Sequence, residues 1–110
     1  MHFDLVDLRL FAAIAEFESL TRGAERVHTS VSAASVRVKN LEERIGTKLM
    51  YRSSQGVTLS AAGEALAHHA RMVLAQMEHL ANDMQQYGHG IKGSRRVFAS
   101  TTAVTEFVPQ

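Results

Sequence analysis

The sequence predicts a mainly α-helical chain: three helices and a small β-hairpin, followed by one long helix. Three observations carry that expectation. Apolar residues recur at spacings of three and four through most of residues 5–87. Two short β-prone runs, 49–52 and 57–59, flank the polar stretch Ser53-Ser54-Gln55-Gly56. After Ser60 an apolar seam continues in alternating steps of four and three.

With 110 residues and 45% hydrophobic content, the chain has room for one small domain and an appendage. It has no cysteine, so neither a disulfide framework nor a thiolate metal site is available, and a reducing cytoplasmic setting is expected. The N-terminus carries Asp4 and Asp7 in place of a basic start, and no apolar run approaches bilayer length. Neither a signal peptide nor a membrane span is expected. The net charge of +1 conceals an uneven distribution: residues 1–21 carry −3, residues 22–52 carry +4 and residues 61–86 carry −2. The positive charge thus gathers on one middle segment.

The elements follow in order. Leu5, Leu8, Phe11, Ala12 and Ala15 define an amphipathic first helix over residues 5–18. Ser19 either ends it or caps a short second helix over 21–27, where Gly23 and Ala24 keep one face thin. Glycine costs about 1 kcal/mol relative to alanine inside a helix, so Gly23 predicts close approach by another helix. His28 and Thr29 form a tight connection. Ser30 is an N-cap for a third helix reaching Ile45, with Gly46 as its stop. Along it Ala34, Val38, Leu41 and Ile45 share a buried stripe, which turns Ser32, Ser35, Val36, Lys39 and Asn40 outward, with Val31 at the first turn.

The hairpin comes next, with Gly56 where a positive φ is required. Ser60 then caps a helix over 61–86, about 39 Å long at 1.5 Å per residue. Its seam runs through Leu66, Ala70, Val73, Met77, Leu80, Met84 and Tyr87, and such a length implies a partner helix. Packing on the chain's own domain is the competing reading, expected at its N-terminal end. Residues 88–93, GHGIKG, read as a hinge, and 95–99 as a strand.

Two short helices joined tightly, with small residues at their contact and a basic polar second helix, form a helix-turn-helix. A helix enters the major groove of DNA only if a supporting helix holds it out from the body. Basic side chains around it neutralise phosphates, while short side chains on its first turns approach base edges. A hairpin after the third helix adds a wing. The DNA-contact candidates are Ser30, Val31, Ser32, Ala33, Ser35, Val36, Arg37 and Lys39 on the helix, with Arg52, Ser53, Ser54 and Gln55 on the wing. The competing reading is a solvated helix face. Arg44 and Lys48 are expected to pair with nearby glutamates.

On DLRLF at 7–11, LTRGAERVHTSVSAASVRVKNLEERIGTKLMYR at 20–52 and GVTLSAAGEAL at 56–66, the sequence resembles the LysR-type transcriptional regulators. The resemblance implies a winged helix-turn-helix DNA-binding domain over 1–60, a linker helix over 61–87 that pairs antiparallel with a second subunit, and a hinge at 88–93. Residues 94–110 would be the first strand of a truncated effector-binding domain, with Ser100, Thr101 and Thr102 a remnant of its pocket. The implied partners are double-stranded DNA at imperfect inverted repeats and a second copy of the chain, with higher oligomers open to a full-length form. A small-molecule effector is implied only if the rest of that domain is present. The implied location is the bacterial cytoplasm, at the nucleoid.

Two residues depart from the family pattern. Glutamine is common where this chain has Val31, and arginine or lysine where it has Val36. Contact with thymine methyls is the expected role of one of these valines, with Ser32 and Ser35 supplying hydrogen bonds and Arg37 and Lys39 reaching phosphates or adjacent bases. Ala34 also replaces a bulkier aliphatic, which predicts a thinner core beneath the recognition helix.

Other function classes find less support. His68, His69 and His79 include no pair at i, i+4 spacing, so no metal is expected, nor any cofactor. No nucleophile context accompanies the scattered Ser, His and Asp residues, so no enzyme is expected. The alternative from another class is an interaction module that forms mixed dimers through the long helix without regulating a promoter itself.

Overall fold

The computed structural model describes residues 1–88, and the expectations on residues 89–110, including the strand and Ser100, Thr101 and Thr102, lie outside them. The elements are α1 (Leu5–Phe17), α2 (Leu20–Arg26), α3 (Val31–Ile45), β1 (Met50–Ser53), β2 (Gly56–Leu59) and α4 (Ala61–Gly88). This is the mainly helical, winged architecture read from the sequence. The described residues divide into two units, one over Met1–Leu74 and one that begins at Ala75.

In the first unit, each helix start is fixed by a side-chain oxygen. Asp4 accepts from the Val6 amide at 2.7 Å, Ser19 from Arg22 at 3.1 Å and Ser30 from Ala33 at 3.0 Å. Ser19 therefore belongs to α2. The Ser60 hydroxyl accepts from the Gly63 amide at 3.0 Å and donates to the Lys48 carbonyl at 2.6 Å, so it starts α4 and ties it to the end of the α3–β1 connection.

The core gathers Leu10, Phe11, Ile14, Leu20, Ala24, Ala34, Val38, Leu41, Leu49, Met50, Val57 and Ala67. On α1 the buried set is wider than the single stripe expected: Leu10, Ala13 and Ile14 join Leu8 and Phe11, while Leu5 stays exposed. The reason is packing on several sides, since α1 meets α2, α3 and β2. Gly23 acts as expected. A Cβ placed there would lie 2.6 Å from Ile14 Cγ1 and 2.7 Å from its Cα, so α2 crosses α1 at a distance only glycine allows. Ala34, Val38 and Leu41 are buried as the stripe predicts, and Ile45 packs against the core from its rim.

The hairpin is antiparallel, pairing Met50 with Leu59 and Ser53 with Gly56, with Gly56 at φ 126°. The Val57 amide donates to the Glu18 carbonyl at 3.0 Å, so the α1–α2 corner anchors the second strand. Gly63 seats the start of α4 on this frame, because a Cβ there would collide with the Leu49 carbonyl.

That seating packs the N-terminal end of α4 on the chain's own domain, as the competing reading expected, and corrects the seam at Ala70, which is fully buried within the unit; Leu66 packs partly against the core and Val73 is exposed. In the second unit, helix α4 continues to Gly88, two residues beyond the expected end, with Met77, Leu80, Met84 and Tyr87 exposed.

Candidate nucleic-acid interface

Helix α3 presents its candidate residues as the 3.6-residue repeat dictates. Ser30, Val31, Ser32, Ala33, Val36 and Lys39 are exposed, and Ser35 and Arg37 are half-buried at the flanks. On the hairpin Arg52, Ser53, Ser54 and Gln55 are all exposed. No candidate is lost to the core.

Their chemistry differs from one flank of α3 to the other. On the flank toward β1, Arg52 donates from Nη1 to the Ser35 hydroxyl at 3.3 Å, joining recognition helix to wing. Between them lies a groove of about 470 Å³ whose lining includes Ser35, Lys39, Lys48, Tyr51 and Arg52. Glu42, at the same groove, accepts from the Leu49 and Met50 amides at 2.9 and 3.3 Å through Oε2 and meets Lys48 at 3.9 Å. The wing is thus held to α3 by a carboxylate as well as by apolar packing.

On the opposite flank, Asp7 of α1 is buried, and its Oδ1 accepts from Arg37 Nη1 at 2.6 Å. Arg44 approaches its Oδ2 at 3.9 Å and donates to the His2 carbonyl at 3.3 Å. Arg44 therefore pairs with an aspartate of α1, where a glutamate partner was expected; Lys48 pairs with Glu42 as expected. The hydrogen bond from Asp7, reinforced by its negative charge, raises the Arg37 pKa above its ordinary value, so this guanidinium stays charged at every physiological pH. Expected to reach phosphates, Arg37 spends one donor on the protein but keeps 42% of its side chain exposed.

Arg22 and Arg26 are committed elsewhere. Both guanidinium groups lie 4.7 Å from the centre of the Phe17 ring, and Arg26 also meets Glu16 at 3.6 Å. The positive charge counted along residues 22–52 is therefore partly offset in place. Lys39 of α3 and Arg52 of the wing lie on the groove between them, where a polyanion backbone could be received.

Sequence reasoning missed Asp7 and Glu42. Asp7 and Arg37 are thirty positions apart and no local pattern announces them. Glu42 carried a weak signal, since it follows the buried Leu41 on α3 and so lies at the edge of the apolar stripe. His28 and Glu18 were also missed as left-handed residues, with φ 61° and 53° at the helix connections.

Residues 5–64 match the family model described as bacterial regulatory helix-turn-helix protein, lysR family. The chain is 36% identical over 106 residues to the HTH-type transcriptional activator IlvY of Salmonella typhimurium, covering 96% of this chain and 36% of that protein. Among solved structures it resembles the BenM DNA-binding domain in complex with catB site 1 DNA, at TM-score 0.75 and 26% identity, over 81% of this chain and 100% of that one. It also resembles the CbnR DNA-binding domain in its DNA complex, at TM-score 0.70 and 28% identity, over 77% of this chain and 98% of that one. The chain spans about a third of the length of the curated relatives it matches.

Proposed function

This chain belongs to the LysR family of bacterial helix-turn-helix regulators, and on that premise we propose that it binds an imperfect inverted repeat in promoter DNA as a dimer. Helix α3 of each copy enters the major groove, the hairpin lies along the flanking backbone, and the exposed seam of α4 pairs the two copies. The observation that carries this reading is the likeness to two DNA-binding domains solved on DNA, combined with an α3 face from which no contact candidate is buried.

Within that reading, Ser32 and Ser35 supply hydrogen bonds to base edges, and Lys39 and Arg52 meet phosphates. Ser30, Val31 and Ala33 bring the first turn of α3 close to the groove floor, while Ser53, Ser54 and Gln55 place the wing tip beside the next backbone. Val36 lies at the centre of the interface. Arg37 reaches the backbone from its anchor on Asp7. Val73, Met77, Leu80, Met84 and Tyr87 form the pairing surface. The site of action is the bacterial cytoplasm, at the nucleoid, and effector control belongs to a form carrying an effector domain. No step of this function calls for a cofactor.

A mobility-shift titration over a range of salt concentrations tests the reading. Affinity is expected to fall steeply as salt rises, because bound phosphates release counterions, and Arg52→Ala is expected to reduce the slope of log affinity against log salt by about 1. Absence of any shift at low salt would overturn it and favour the mixed-dimer interaction module.

A further inference from the structure

The azimuth of each side chain on α3 separates two valines that look alike in sequence. At about 100° per residue, Val36 lies almost diametrically opposite the buried Ala34, Val38 and Leu41, on a stripe shared with Ser32 and Lys39. Val31 is about 140° round the helix from it, on the flank toward the hairpin. Their exposures agree, at 57% for Val36 and 37% for Val31. A branched aliphatic at the crown of a basic helix gains nothing from water and serves no core.

Several polar neighbours are already engaged. The Ser30 hydroxyl caps α3, Ser35 accepts from Arg52, and Arg37 donates to Asp7. Ser32 and Lys39, both exposed, flank Val36 along the helix one turn before and one turn after it. The crown of the helix therefore offers two isopropyl methyls between a hydroxyl and an ammonium. The apolar feature of the major groove that such a group fits is a methyl on C5 of a pyrimidine.

We propose that Val36 is a specificity-determining residue that reads C5-methylated pyrimidines, so that thymine and 5-methylcytosine satisfy it alike and unmethylated cytosine does not. The inference rests on the DNA-binding reading above and deepens it. The methylation state of a cytosine at that position becomes a second input to binding. Val31 does not share this role: it meets the groove from the first turn, about 140° round the helix from Val36, and so faces a different part of the site.

The test begins with a site selected by the protein from random DNA, assayed by mobility shift at fixed salt. Each thymine is replaced in turn by deoxyuridine, which removes the C5 methyl and nothing else. At one position per half-site, wild-type affinity is expected to fall about fourfold per methyl lost. The Val36→Ala protein, whose substitution touches only an exposed side chain, should be indifferent at that position, whereas Val31→Ala, whatever its overall affinity, should keep the wild-type ratio between thymine and deoxyuridine there. With cytosine at that position, C5 methylation should raise wild-type affinity by a similar factor and leave Val36→Ala unchanged. Equal losses for wild type and Val36→Ala, or no thymine that responds, would overturn the assignment while leaving DNA binding intact. A response to deoxyuridine without one to 5-methylcytosine would confine Val36 to thymine and overturn the methylation input. A protein that binds no DNA at low salt would overturn the DNA-binding reading itself.

Discussion

At the scale of single residues, the two connections around α2 use side chains where glycine would be easier. His28 holds φ 61° between α2 and α3, and its amide donates to the Glu25 carbonyl at 3.1 Å. A residue with a Cβ loses about 1–2 kcal/mol in this left-handed region, part of which glycine gives back through its freer unfolded chain. His28→Gly is accordingly expected to stabilise the domain by about 0.5–1 kcal/mol, read from the midpoint of urea unfolding. A lower midpoint would show that the imidazole has a role beyond filling the turn. His28 and Thr29 were legible as a connection because they interrupt two helical patterns. The sign of φ was not, because it depends on how far α3 must turn to lay Ala34, Val38 and Leu41 on the core.

Between elements, the bonds that matter join segments with no local relation. The Glu42 carboxylate is mostly buried and takes the amides of Leu49, just before β1, and of Met50, its first residue. Glu42→Ala leaves those donors without their partner, and a hydrogen bond to a charged group is worth about 1.5–3 kcal/mol. The variant is expected to lose about 2 kcal/mol of stability, and its β1 and β2 amides should exchange hydrogen faster than those of α1. Uniform exchange across the domain would mean that Glu42 does not hold the wing. Helix boundaries, by contrast, were readable to within a residue or two, since Ser19, Ser30 and Ser60 act through amides only three positions away. The α1 face was read too narrowly: a helix packed on several sides does not show the one-sided stripe of a surface helix.

For the molecule as a whole, the exposed apolar run of α4 is the surface on which the proposed pairing of two copies rests. Leu80 is half exposed with Met77 and Met84 on either side, an arrangement that a second copy would cover. Leu80→Glu is expected to shift the chain toward monomer in sedimentation equilibrium and to weaken binding to a two-half-site DNA by at least about tenfold. Binding to a single half-site should change little, since linked half-sites gain their affinity from effective concentration. An unchanged mass would place the pairing surface elsewhere.

Read alone, the sequence determined what depends on neighbours along the chain: helix starts from capping hydroxyls, the hairpin from its polar turn, the α3 stripe from its period, and the family from its dense match over residues 7–66. The tertiary structure decided which of the exposed charges are already engaged. Asp7 draws Arg37 and Arg44 toward α1, Phe17 and Glu16 hold Arg26, and Ala70 leaves the seam for the core. The reason is range: capping and periodicity act within a turn or two of helix, whereas ion pairs and burial depend on segments that only folding brings together.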